Sequence, residues 1–162
     1  MMLDITTKKN EDLLIHTGVN PADAGDTLIC ISSNSIGAYV LEGTAKLRGL
    51  ANQTHILKNG YHSFTGLRNK KFIVTIIEDL KHICVESRTD KKWVGSVSEV
   101  QADNRFQIPV RLLESYWYVI QGGGRIGNSY YKTGQLIKIP AYARVHLITS
   151  TDTCFLKLDR VP

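Results

Sequence analysis

Residues 38–49, AYVLEGTAKLRG, align without a gap on residues 117–128, WYVIQGGGRIGN. The next blocks keep the same order in both halves of the chain. HILKNGYHSF (55–64) resembles SYYKTGQLIKI (129–139), KKFIVTII (70–77) matches VHLIT (145–149), and HICVE (82–86) matches FLKLD (155–159). The likeness is weak in identities and stronger in pattern. Self-similarity in a fixed order is the mark of one structural unit used twice. It predicts two tandem, related modules over residues 25–92 and 93–162, preceded by an N-terminal arm over residues 1–24.

Each module is built from short β-type runs. TLICI (27–31), AYVL (38–41), FIVTII (72–77), HICV (82–85), WVGSV (93–97), WYVI (117–120), LIKI (136–139), VHLIT (145–149) and CFLKL (154–158) are separated by Gly, Asn and Asp. Only residues 9–16 and 109–115 are compatible with a turn or two of helix. A parallel sheet needs long helices between its strands, and none is available here. The fold class is therefore all-β, a sandwich or barrel.

Composition narrows the functional classes. With 162 residues, 43% hydrophobic and 22% charged, the chain can bury a core and stay in solution. No apolar run approaches the length of a membrane span. The N-terminal MMLDITTKKNEDLL lacks the apolar region of a secretion signal. Cys30, Cys84 and Cys154 are odd in number and widely spaced, which does not suit a disulfide framework. A cytoplasmic location is expected. The net charge of +5 permits an anionic partner. The basic residues are spread, with small clusters at Arg68–Lys71 and Arg88–Lys92 that suit solvated loop tips. A nucleic-acid partner is not expected.

The segment Gly122-x-Gly124-x-x-Gly127 is a literal G-x-G-x-x-G after an apolar run. A dinucleotide turn must open a helix, whose N-terminus receives the pyrophosphate. Gly127 instead leads into NSYYKTGQLIKIP, which alternates like a strand, and no acid stands where the ribose would need one. These glycines fit a hairpin bend, where Gly supplies positive φ.

Gly134–Pro140, GQLIKIP, fits the start of the second cupin motif, G-x5-P-x-G-x-x-H. Tyr118–Gly122 (YVIQG) and Tyr39–Gly43 (YVLEG) resemble the segment that closes the first cupin motif. Over roughly residues 25–160 the chain resembles a cupin, a double-stranded β-helix or jelly-roll barrel, in the form of a compact bicupin. Metal cupins carry H-x-H and a Glu in the first motif and a His in the second. Here the first-motif slots hold Pro109, Arg111 and Ser115 in the second half, and Cys30, Ser32 and Ile36 in the first. The histidine slot of the second motif holds Val145, with His146 one residue late. Glu114 near His146 does not complete a three-ligand set, so no metal and no other cofactor is expected.

Strand alternation assigns a candidate pocket to the second module. Trp117, Val119 and Gln121 share a face, which the cupin register makes the inner one. Arg111 and Ser115 extend it, and His146 joins it with Ile148. The ligand-binding set is Arg111, Trp117, Gln121, Arg144 and His146: guanidinium groups to grip an anion, an indole wall, and polar groups to fix orientation. Trp117 serves equally well as plain core. The corresponding face of the first module holds Ile36, Ala38, Val40 and Glu42, which predicts a packed structural copy.

The functional expectation is a metal-independent, non-catalytic protein that binds or sequesters a small anionic molecule, with no catalytic residues assigned. One alternative is an enzyme of the isomerase or lyase type. Metal-free sugar-epimerase cupins use a His–Asp base and a Tyr acid, which His62 beside Tyr61 imitates without a nameable acid. The other alternative is a structural or protein-interaction barrel. A two-fold homo-oligomer is the expected assembly.

Overall fold

The computed structural model describes residues 3–30, 35–49, 54–64 and 69–162. Ile31, Ser32 and Arg68, which belong to the β-type runs, metal slots and basic clusters of the sequence, lie outside them. The described chain is all-β and jelly-roll in type. Every strand pairing is antiparallel, and no helix occurs among the described residues. No helix there is long and apolar enough to cross a membrane.

Two compact units result, and their boundaries differ from the expected ones. One is continuous, Glu11–Asp90, and the other is split, Met1–Asn10 with Lys91–Pro162. The N-terminal arm expected over residues 1–24 does not stand apart. Strand β1 (Ile5–Thr7) pairs with β13 (Gln135–Ile139) in the split unit. Strand β2 (Leu13–Ala22) pairs with β7 (Phe72–Ser87) in the continuous unit. Leu13 and Ile15 are buried while His16 is exposed, so period 2 governs where a helical turn was also compatible. Residues 109–114 likewise form no helix and lead irregularly into the next strand.

The split unit continues with β8 (Lys92–Val100), β9 (Arg105–Gln107), β10 (Ser115–Gln121), β11 (Gly123–Ile126), β12 (Ser129–Lys132), β14 (His146–Thr149) and β15 (Thr153–Val161). A five-stranded sheet runs β1-β13-β10-β15-β8, and a four-stranded one runs β12-β11-β14-β9. Trp117, Val119, Ile137 and Phe155 from the first sheet share one core with Ile126 and Leu147 from the second. Gly122, at φ +106°, makes the bend between β10 and β11. Gly127, at φ +54°, turns β11 into β12. The glycine motif is thus strand–bend–strand–turn–strand, as a hairpin requires and a helix-opening turn does not.

The continuous unit contains β2, β3 (Thr27–Cys30), β4 (Ser35–Arg48), β5 (Thr54–Leu57), β6 (Gly60–Ser63) and β7. Its sheet runs β2-β7-β4-β5, with β3 also on β7 and β6 also on β4. The long β4 and β7 do here what the pairs β10/β11 and β14/β15 do in the split unit. The first half of β4 pairs with β6 and the end of β7, as β10 pairs with β13 and β15. The second half of β4 pairs with β5 and the start of β7, as β11 pairs with β12 and β14. Between the halves of β4 the register shifts around Gly43, at φ +86°.

Candidate functional site

The five residues singled out from the sequence fall in different environments. Trp117 is 5% exposed and belongs to the packed core, edge-on to Phe155 at 5.1 Å between ring centroids. The Lys157 ammonium lies 5.4 Å from its ring centroid. Arg111 is exposed, and its Nε lies 3.4 Å from Asp159 Oδ1 in an ion pair. Arg144 is exposed between Ala143 and Val145, which both sit in the core. His146 is exposed, whereas Leu147 beside it is fully buried. The inward phase expected for His146 and Ile148 is therefore shifted by one residue. Leu147 opposes Phe106 across β14 and β9 on the core side, and His146 opposes Gln107 on the other. Gln121 is exposed and lines an open groove of about 470 Å³ with Glu99, Gln101, Asp152, Thr153 and Cys154. None of the other four lines that groove. The structure thus gives these residues no common wall.

An apolar hollow lies instead in the continuous unit, where a packed copy was expected. It measures about 100 Å³ and is walled by Ala38, Val40, Leu57, Phe64, Phe72 and Leu80, with Cys30, His82 and Cys84 also facing it. Pairing register explains why this barrel is open and the other closed. In the split unit Trp117, Phe155 and Tyr131 fill the interior, with Tyr131 5.5 Å from Phe155. By the sequence alignment their counterparts are Ala38, His82 and Leu57. The registers agree: Val40 opposes His82 as Val119 opposes Phe155, and Ala45 opposes Leu57 as Gly124 opposes Tyr131. Three large aromatic side chains become a methyl, an imidazole and an isobutyl group. Small side chains along one strand suggest tight packing when that strand is considered alone. On a barrel's inner face they leave volume that nothing else fills.

Among the described residues, no Lys, Arg, Asp or Glu lines the hollow. Burial raises the Cys30 thiol. Burial also pushes Cys84 up to about 12, helped by the nearby Cys30 and Glu86. Both sulfurs are therefore neutral thiols near pH 7 and behave as small apolar groups. Tyr61 is likewise pushed to about 12, first by burial and then by Cys84. Its neighbour His62 holds Lys58 O through Nε2 at 2.7 Å, a local structural bond. Neither Tyr61 nor His62 lines the hollow.

The metal slots do not fit a metal. Val145 is core, Ser115 is a buried β10 residue, and Arg111 is a cation already beside Asp159. Among the described residues no group of three or more His, Cys, Asp or Glu is placed to hold an ion.

No protein-family model matches the chain, and no curated protein matches it. Solved structures do. AerE from Microcystis aeruginosa superposes at a TM-score of 0.67 with 13% identity, over 99% of this chain and 92% of that one. The bacterial pirin YhhW from Escherichia coli, solved in complex with nickel(II), gives 0.66 with 12% identity over 99% and 92%. A cupin 2 conserved barrel domain protein from Leptotrichia buccalis gives 0.51 with 11% identity over 98% and 89%. At such identities the likeness speaks for the fold. Together with the antiparallel jelly-roll pairings and the YVLEG and GQLIKIP segments, it gives this chain a cupin-like fold, the double-stranded β-helix.

Proposed function

We propose that this chain is a metal-independent, non-catalytic small-molecule binder whose seat is the hollow of the Glu11–Asp90 unit. The apolar hollow itself carries the reading: a barrel interior lined by apolar side chains and neutral thiols, with the volume of a small organic group. The split unit offers less, because its interior is occupied by its own aromatic residues. Charge on the ligand is the part of the expectation that the lining disfavours. Among the described residues no Lys or Arg lines the hollow, so an anionic group would gain no ion pair from them on leaving water. Arg111 is already drawn toward Asp159, which weakens it as a free anion grip. Among the described residues no three candidate donors come together to hold an ion, which supports binding without a metal. An isomerase or lyase needs an acid–base pair facing its substrate, and Tyr61 and His62 do not face this hollow.

The test is a thermal-shift screen of the full chain against small neutral and anionic organic molecules, with and without added divalent metal. Neutral apolar compounds should raise the melting temperature. A ligand present at a hundredfold excess over its Kd contributes about 2.7 kcal/mol, which shifts a domain of this size by several degrees. Stabilisation that appears only when a metal is added, or consumption of the ligand during incubation, would sink the proposal.

A further inference from the structure

Resting on that seat, we infer that its occupant is a single uncharged aromatic ring, which stands where the split unit keeps its own indole. The two barrels share a pairing scheme, and each must fill the space between its β4-type strand and the facing strands. The split unit does so internally. Trp117 meets Phe155 edge-on at 5.1 Å and 63°, and Phe155 meets Tyr131 at 5.5 Å. At the matching position the continuous unit has Ala38, so the indole is missing while the backbone around it is kept. Protein interiors are packed like organic crystals, and a void of this kind is an open place for a molecule of the missing shape. Apolar cavities of about 150 Å³ stay dry and accept benzene. The hollow here, at about 100 Å³, has room for one small ring and little more.

The wall that remains suits a π-system. Phe64 and Phe72 stand 6.0 Å apart with their planes tilted by 40°, leaving ring faces and edges of the kind aromatic partners use. The Cys30 and Cys84 sulfurs add polarisable contacts that ring edges favour. His82 stands at the position of Phe155, and so offers a flat ring with a polar edge where the split unit offers a benzene ring. A neutral ring with one hydroxyl or N–H group would meet the apolar walls without burying a charge. A carboxylated ring would carry its charge against a wall where, among the described residues, no Lys or Arg stands.

The experiment uses the full chain and three single-ring probes: phenol, benzoate and cyclohexanol. Binding is followed by saturation-transfer NMR and by thermal shift, in the parent and in Ala38→Trp. The parent should bind phenol, with benzoate and cyclohexanol each weaker by about tenfold or more, roughly the cost of burying a charge or losing the ring contacts. Ala38→Trp rebuilds the plug of the split unit. It should abolish phenol binding while the melting temperature stays at or above that of the parent. Should that indole not fit and the variant unfold, Ala38→Leu is a smaller filler with the same expected loss of binding.

Equal binding of cyclohexanol and phenol, or of benzoate and phenol, overturns the ring class. If the fillers still block that binding, the seat stands without the ring. If phenol binds the parent and both folded fillers alike, the seat itself is wrong, and the ring inference falls with it. No binding of phenol to the parent overturns the inference directly. A different small molecule that binds and is displaced by the fillers would still uphold the seat.

Discussion

Glu114 shows how one side chain outside the proposed seat can still matter to the fold. It stands just before β10, its side chain 14% exposed, with Lys91 Nζ at 3.0 Å and Arg160 Nη1 at 3.2 Å. Burial alone would raise its carboxyl. Hydrogen bonds from Lys91, its own backbone and Arg160, with the charge of Lys91, outweigh that and hold it at about 2, below its ordinary 4.5. A depressed folded value means stability that is present above about 4.5 and is lost as pH falls through about 2. The full span is on the order of 3 kcal/mol. Denaturant titrations of the parent at pH 6 and pH 2.5 should show this loss, and Glu114→Gln should lack most of it. An unchanged slope in the variant would assign the acid sensitivity to other carboxylates. In the sequence Glu114 is visible only as a neighbour of the metal slots. Lys91 lies far from it along the chain and Arg160 near its end, so nothing local announces the cluster.

Strands are the most legible level, because alternation and β-branched runs report directly on a pleated, half-buried surface. FIVTII and HICV look like separate runs and belong to one strand, β7, because the exposed Glu78-Asp79 between them resembles a turn. Strands β5, β6, β9, β11 and β12 are only three or four residues long, too short for alternation to show. The phase of β14 differs by one residue from its expected one because its neighbour in space, β9, cannot be named from sequence. Thr149, at the end of β14, shows what fixes that strand. Its hydroxyl donates to Gln101 O at 2.6 Å and accepts from Asn104 N at 3.1 Å, pinning the β8–β9 connection while fully buried. Thr149→Val keeps the shape and removes both bonds. It should cost about 1–3 kcal/mol, the penalty for buried backbone groups left without partners. Equilibrium unfolding monitored by tryptophan fluorescence measures it, and an unchanged midpoint would mean that water replaces the hydroxyl.

For the molecule as a whole, the internal alignment makes the fold legible and yet misplaces the open barrel. Setting Ala38 on Trp117, Leu57 on Tyr131 and His82 on Phe155 already contains the difference between the units. Its sign comes out inverted, because side-chain size along one strand says nothing of what crosses the barrel to meet it. The two interiors should respond oppositely to changes at matching positions. Trp117→Ala should destabilise by about 3–5 kcal/mol, as a large core truncation does, and a loss below about 1 kcal/mol in urea titration would place the indole outside the packed core. A different consequence lies in the order in which this chain is made. Strand β1 leaves the ribosome before the continuous unit, but its sheet partner β13 follows only after the whole of Glu11–Asp90 has been translated. At about 5–20 residues per second, that is a wait of many seconds during which the continuous unit can close its own pairings. Of the two units, the split one is therefore completed after the continuous one, and β1 spends that interval as an open edge.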